Sequence, residues 1–159
     1  MLFVALAAPA LVLLTVITHY EVLRGISILI PKLRIAPRKR VLFVVLGIFL
    51  AHVVAIVLYA IGYFVMVLVG AGTIEGHFNG DFLDFLYFSA TSYTTLGVGD
   101  LFPQGPARIL VGVESLNGFV LIGWSASFTY YSMQKFWDDH KQPHFLLGHS
   151  RPTREKSVD

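Results

Sequence analysis

The sequence has no cysteine and few charged residues. Because none of its 159 residues is cysteine, disulfide frameworks, thiol catalysis and metal sites built on cysteine thiolates are excluded. Lys, Arg, Asp and Glu make up 14% of the chain, whereas 55% is hydrophobic. A soluble domain of this length cannot bury so much apolar surface, so the composition indicates a membrane protein. The basic residues flank apolar runs, which argues against nucleic-acid binding.

The patterns that mark enzymes and voltage sensors are also missing. The sequence contains no nucleophile–base constellation, no metal-ligand cluster at helical spacing and no G-x-x-x-x-G-K-[ST] phosphate loop. No apolar run carries Lys or Arg at every third position, so a voltage sensor is not expected. We therefore predict a protein that is not an enzyme and that needs no cofactor.

Three long apolar runs predict membrane-spanning helices over residues 1–30, 41–69 and 107–137. Each run is long enough to cross a hydrocarbon core of about 30 Å. The small residues near the start of the first run are typical of a signal-peptide cleavage region. However, that run continues well past them, which favours a retained helix. The predicted fold class is an all-α membrane protein.

Basic residues are absent from residues 71–107, whereas five of the twelve Lys and Arg residues fall within residues 31–40. By the positive-inside rule, the loop 31–40 is cytoplasmic and the N-terminus lies outside. The third helix then leads to a cytoplasmic tail at residues 138–159. This topology predicts a multi-pass protein of the plasma membrane, such as a bacterial inner membrane. The outer segment contains acids instead: Glu75, Asp81, Asp84 and Asp100.

A shorter helix is predicted over residues 82–93, after the turn Asn79-Gly80 and with Asp81 as its N-cap. Its length of about 18 Å is too short to cross the membrane and fits a re-entrant pore helix that enters from outside. Residues 94–100, which we call the filter segment, are polar and glycine-rich. At membrane depth such chain persists only inside protein or along a water-filled cavity. Its alternating glycines predict a row of carbonyls that binds cations.

The filter segment, Thr94-Thr95-Leu96-Gly97-Val98-Gly99-Asp100, resembles the T-T-V-G-Y-G-D signature of pore-loop potassium channels. The resemblance runs from about Asp81 to Met133 and includes Phe102-Pro103 and a glycine-bearing last helix. It implies that residues 41–137 form a pore domain that conducts K⁺ passively. It also implies a homotetramer, because one chain supplies a quarter of each ion's coordination shell. The implied partners are three further copies, K⁺ and membrane lipid, with no nucleic acid.

The resemblance also implies a role for each matching position. K⁺ would bind in a filter formed by Thr95, Leu96, Gly97, Val98 and Gly99. The carbonyls from Thr95 to Val98 and the Thr95 hydroxyl would line the ion sites, and Gly99 would help to close the outer mouth. Gly118 would be the gating hinge of the last helix. The remaining implied positions are the mouth and support of the filter, at Thr94, Asp100, Tyr87, Phe88, Thr91 and Glu114, and the pore lining, at Phe119, Ile122, Ala126 and Tyr130.

Two departures from the family pattern affect the expected function. Val98 stands where most potassium channels have an aromatic residue that ties the filter to the pore helix. A weakly selective monovalent cation channel is therefore an alternative. Thr91 occupies a position where some members place Glu, and Glu114 either replaces that contact behind the filter or forms an interhelical hydrogen bond without effect on conduction. A third hypothesis is a non-conducting regulatory membrane subunit.

His52 is the ionisable residue of the second apolar run. Ionisable side chains inside membranes are rare, so this position raises a functional hypothesis. One interpretation is a neutral imidazole hydrogen-bonded to a neighbouring helix, and the other is a proton sensor, a role equally open to His19 and His77.

Overall fold

A computed structural model of the chain describes residues 1–32 and 36–138. Its three long helices are α1 (Leu2–Leu29), α2 (Pro37–Leu68) and α4 (Ala107–Asp138). Each contains a stretch that is long and apolar enough to cross a membrane. The structure thus contains the three long apolar helices that the sequence predicts, each of them a candidate membrane span. Residues 139–159 of the predicted tail lie outside the described part.

A short helix and two short strands connect α2 to α4. Strand β1 (Thr73–Gly76) precedes α3 (Phe82–Tyr93), and strand β2 (Leu101–Gln104) follows the filter segment. The strands pair antiparallel, with Thr73 opposite Gln104. The all-α prediction is therefore wrong in this detail. Strands of four residues are too short to show an alternating pattern, and they form here because the two ends of the loop meet.

Helix α2 begins and ends at residues with special backbone roles. It starts at Pro37, although the sequence predicts a loop to residue 40. Proline at the first helical position loses no hydrogen bond, because that N–H has no intrahelical partner. At the other end Gly70 has a φ of 67°, and the Ala71 N–H donates to the Met66 carbonyl. This is a Schellman ending, in which a left-handed glycine stops the helix.

The start of α3 differs from the predicted cap. Asp81 occupies the N-cap position but makes no side-chain cap hydrogen bond. Instead the Asp84 carboxylate accepts hydrogen bonds from the backbone N–H groups of Asn79 and Gly80, at 2.7 and 3.1 Å. Asp81 is thus the N-cap residue, as predicted, but its side chain does not bond the first turn of α3. The acid one turn further on fixes the preceding loop and places negative charge in the first turn, where the helix dipole favours it.

Helices α2 and α4 together form the centre of the packing. They contact each other, and each of them also contacts α1 and α3. One apolar core joins α2, α3 and α4 around side chains such as Tyr63, Phe85 and Leu110. A smaller core near the basic end contains Leu23, Ile30, Val44 and Ile48. Helix α3 and the filter segment therefore rest on two long helices.

Candidate functional site: the filter segment and its support

The filter segment lies on the surface of a single chain. All residues from Thr94 to Gly99 are exposed, including Leu96 and Val98, whose side chains are 68% and 56% exposed. Segments that carry apolar side chains at membrane depth need cover from other protein or from lipid. The surface of the filter segment is thus one that a single copy leaves open.

The backbone angle φ alternates in sign along the filter segment. Thr95, Gly97 and Gly99 have φ values of 59°, 55° and 88°, while Leu96 and Val98 have negative φ. Positive φ is rare for a β-branched residue such as threonine, and backbone outliers of this kind concentrate at functional sites. Alternation between positive and negative φ turns successive peptide groups in the same direction, so that their carbonyls point to one side.

Helix α3 holds the beginning of the filter segment through backbone hydrogen bonds. The Thr95 N–H donates to the Ser92 carbonyl at 3.0 Å, and the Gly97 N–H donates to the Thr91 carbonyl at 3.1 Å. Among the described residues, no hydrogen bond is made to the carbonyls of residues 95–99. The N–H groups thus fix the segment to the helix, while the carbonyl oxygens stay free to bind an ion or water.

Asp100 fixes the other end of the filter segment. Its carboxylate accepts a hydrogen bond from the Leu101 N–H at 3.0 Å, and its carbonyl accepts one from the His77 N–H at 3.1 Å. Interaction with the nearby Asp100 carboxylate raises the pKa of the Tyr87 hydroxyl. Next to it, a Cβ at Gly76 would overlap the Asp100 carbonyl. The strand ribbon and α3 therefore hold Asp100 in place together.

Glu114 lies behind α3 as a fully buried carboxylate. It accepts hydrogen bonds from the Ser89 hydroxyl of α3 at 2.6 Å and from the Tyr63 hydroxyl of α2 at 2.5 Å. The Ser89 hydroxyl also lies 2.9 Å from the Ile56 carbonyl. Glu114 thus links three helices. It touches α3 at Ser89, more than one turn before the filter segment begins.

The other predicted support positions on α3 face different surroundings. Phe88 is buried, and its ring meets that of Tyr63 edge-on, with centroids 5.1 Å apart. The Thr91 hydroxyl donates to the Phe88 carbonyl within its own helix at 3.0 Å. Thr91 therefore supports the filter segment through its backbone carbonyl, which receives the Gly97 N–H. The structure does not bring its side chain to Glu114.

A protein-family model described as an ion channel matches residues 42–135, which is more than half of the chain. The chain belongs to this ion channel family. The match contains α3, the filter segment and nearly all of α2 and α4, whereas α1 lies before it. No curated protein and no solved structure matches the chain. The family and the three apolar helices make this channel a membrane protein.

In this channel, α4 approaches the end of α3 closely at Gly118. A Cβ at this position would overlap the Tyr93 carbonyl, so that only glycine fits without a shift of the two helices. The Ser115 hydroxyl donates to the Ser92 carbonyl at 2.9 Å nearby. Helix α4 is continuous through Gly118. The position predicted to be a hinge is thus a helix-packing contact in this conformation.

The four predicted pore-lining residues share one exposed face of α4. Phe119, Ile122, Ala126 and Tyr130 are all exposed in the single chain. Their spacing of three and four residues places them along one side of a helix. This side of α4 and the filter segment are thus two of the surfaces that a single copy leaves exposed.

Polar side chains inside the spans connect the channel's helices. The Asn117 amide donates to the Thr15 hydroxyl of α1 at 2.8 Å and to the Tyr59 hydroxyl of α2 at 3.2 Å. His52 bonds the hydroxyls of Tyr93 and Ser125. Hydrogen bonds between His52 and neighbouring helices therefore exist, as one of its two interpretations requires.

Sequence reasoning missed most partners of these groups. Their signal in the sequence is a polar residue inside an apolar run, which needs a partner in the membrane. In the part of the chain that the structure describes, no three His, Asp or Glu side chains are grouped so that they could hold a metal ion. The partners missed are Tyr59, Tyr63, Ser89, Tyr93, Asn117 and Ser125.

Proposed function

We propose that the protein is a potassium channel in which four copies surround a filter lined by backbone carbonyls. The observation that carries this proposal is the alternating sign of φ along the filter segment, with positive values at Thr95, Gly97 and Gly99. Rings of carbonyls that replace the hydration shell of K⁺ are the basis of selective conduction in such filters. The carbonyls of residues 95–99 form no competing hydrogen bonds among the described residues, which supports this role.

Exposure of the filter segment supports the four-fold assembly. A single strand of carbonyls offers too few ligands to replace a hydration shell, so several copies must meet at an axis. The face of α4 that carries Phe119 and Ile122 is also exposed in one copy. In the proposed tetramer both surfaces turn to the axis, where the α4 residues line a water-filled cavity below the filter.

The distribution of charge favours cations along this path. In the proposed orientation α3 is re-entrant, and its C-terminal end, which carries partial negative charge, points at the cavity. On the outside, Glu75, Asp81, Asp84 and Asp100 form an acidic vestibule that concentrates cations. The basic residues around the start of α2 lie on the cytoplasmic side of a plasma membrane. The C-terminal end of α3 and the acidic vestibule each attract K⁺ and repel anions.

A weakly selective monovalent cation channel is the second candidate. It is favoured by Val98, whose side chain is 56% exposed in the single chain and has no hydroxyl or aromatic ring with which to anchor the filter to α3. Reversal potentials with K⁺ on one side and Na⁺ on the other separate the two candidates. Equal permeability of the two ions would remove potassium selectivity and leave cation conduction.

The experiment that tests the proposal is K⁺ release from liposomes that contain the purified protein, with and without barium as a pore blocker. We expect release that barium inhibits, and a particle of four copies in detergent. A folded tetramer without flux would favour the non-conducting regulatory subunit. A particle whose number of copies cannot place four filter segments around one axis would contradict the proposed carbonyl filter.

A further inference from the structure

Four polar side chains from four different helices meet inside the spans. His19 of α1 and His52 of α2 both direct Nε2 at the Ser125 hydroxyl of α4, at 2.9 and 3.1 Å. The other nitrogen of His52, Nδ1, lies 2.9 Å from the Tyr93 hydroxyl of α3. His19, Ser125 and Tyr93 are buried, and the two imidazole centroids lie 4.9 Å apart. We call these four residues the histidine cluster.

The neutral cluster has two possible proton arrangements, and in each of them all its hydrogen bonds point the same way along the cluster. The Ser125 hydroxyl has one proton, so it donates to one imidazole and accepts an N–H from the other. If His52 donates to Ser125 from Nε2, its Nδ1 is an acceptor and the Tyr93 hydroxyl donates to it. If His52 accepts from Ser125, its Nδ1 carries the proton and Tyr93 accepts. The protons of the cluster are therefore coupled from α1 to α3.

One added proton fits this cluster, and His52 is the ring that takes it. Both nitrogens of His52 already face oxygen atoms, so an imidazolium there donates to Ser125 and Tyr93 at once. His19 is less suited, because its buried Nδ1 has no partner within the described residues, so a charged ring there would have only one of its two N–H groups hydrogen-bonded. A second proton would place two positive rings 4.9 Å apart, where low-dielectric repulsion is strong.

Among the described residues, no further acid or base forms a hydrogen bond with the cluster. From α4 the cluster meets Ser125 and the Trp124 ring, whose centroid lies 5.8 Å from that of His19. Glu114 is occupied by hydroxyls of α2 and α3. Other titratable side chains on the packed helices include Tyr20, Glu21 and Arg24 on α1, Lys39, Arg40, Tyr59 and Tyr63 on α2, Asp84 and Tyr87 on α3, and Arg108, Tyr130, Tyr131 and Lys135 on α4.

Tyr93 connects this cluster to the filter segment. It is the last residue of α3, directly before Thr94 and Thr95, and its carbonyl packs against Gly118. We propose that His19, Ser125 and His52 form one buried proton-binding site and that Tyr93 transmits its occupancy to the filter. The effect on conduction rests on the proposed channel function; proton binding by the cluster does not.

The geometry gives the direction of the effect. Once His52 is positive, Tyr93 can only accept from it, so the arrangement in which the Tyr93 hydroxyl donates to the cluster is no longer available. The imidazolium also lies beside the C-terminal end of α3, where it offsets the partial negative charge that attracts K⁺. Acid therefore lowers conduction. We expect a decrease of about three- to tenfold, the change in an equilibrium that one hydrogen bond produces.

Proton binding is tested by nuclear magnetic resonance on protein with isotope-labelled histidine in lipid nanodiscs. The pH is varied from about 8 to about 4, around the ordinary histidine pKa near 6.5. Comparison with His19→Gln and His52→Gln assigns the two rings. We expect both rings to respond together in a single one-proton step. Two independent titrations, or no titration of either ring, would overturn the shared site.

Transmission is tested by K⁺ flux from liposomes over the same pH range. The wild type should lose flux in acid, and so should the control His77→Gln, whose ring is exposed outside the cluster. Tyr93→Phe should still bind the proton in the resonance titration, but its flux should lose most of its dependence on pH. Unchanged pH dependence in Tyr93→Phe or His52→Gln would refute transmission. Absence of flux at every pH would refute the channel function, while the resonance titration still decides the proton site.

Discussion

Replacing Gly97 by alanine tests the backbone conformation on which the proposed filter depends. Gly97 has a φ of 55°, a region in which a residue with a Cβ is less stable by about 1–2 kcal/mol. A Cβ there meets no atom within 4 Å in a single chain, so the cost within the chain is conformational and involves no clash. Four copies in one filter add to about 4–8 kcal/mol.

This magnitude leads to a clear result in a flux assay. Each 1.4 kcal/mol corresponds to about tenfold in an equilibrium constant, so we expect Gly97→Ala to lower K⁺ release at least about 100-fold. Gly25→Ala is the matched control, because Gly25 lies inside α1 and a Cβ there also meets nothing within 4 Å. The control should conduct like the wild type. Tetrameric Gly97→Ala protein with undiminished flux would refute the carbonyl filter.

Three further substitutions test the support and the selectivity of the filter segment. Glu114→Ala removes the buried acceptor of two hydroxyls and should destabilise the protein by about 2–4 kcal/mol in thermal unfolding, whereas a loss below about 0.5 kcal/mol would show that the carboxylate is dispensable. Gly118→Ala forces a Cβ against a carbonyl of α3 and should cost about 1–3 kcal/mol; Gly123→Ala, with open space around it, should be near neutral. Val98→Tyr should raise the K⁺/Na⁺ permeability ratio in bi-ionic recordings, and an unchanged ratio would contradict the anchoring role of the aromatic.

The long helices could be predicted because a bilayer imposes a simple rule on the sequence. About 20 apolar residues are needed to cross it, and the apolar runs that form α1, α2 and α4 satisfy this rule. Helix α3 has the bounds of the predicted short helix, Phe82–Tyr93, because a turn at Asn79-Gly80 and the glycine-rich filter segment interrupt the pattern on both sides. Strong local signals were sufficient at these positions.

Local signals failed where one residue suits two roles, or where two residues suit the same role. Pro37 can end one helix or begin the next, and the structure uses it to begin α2. Asp81 and Asp84 both suit the start of α3, but Asp84 bonds the loop and Asp81 makes no side-chain cap. Each choice depends on where the neighbouring chain lies, which propensities do not contain.

The partners of buried polar groups depend on tertiary packing and could not be predicted from spacing. Glu114 meets Ser89 and Tyr63, which lie 25 and 51 residues away in the sequence. His19 and Ser125 are separated by 106 residues. The sequence shows that such groups need partners inside a membrane, but only the arrangement of α4 against the other helices decides which partners they have.

The central claim is that carbonyls of the filter segment bind monovalent cations on a four-fold axis. The most direct measurement is anomalous diffraction from crystals grown with thallium(I) or rubidium in place of K⁺. We predict a row of ions on the axis of a tetramer, level with the carbonyls from Thr95 to Val98. A tetramer without ordered ions at that level, or with ions only outside the filter segment, would contradict the account.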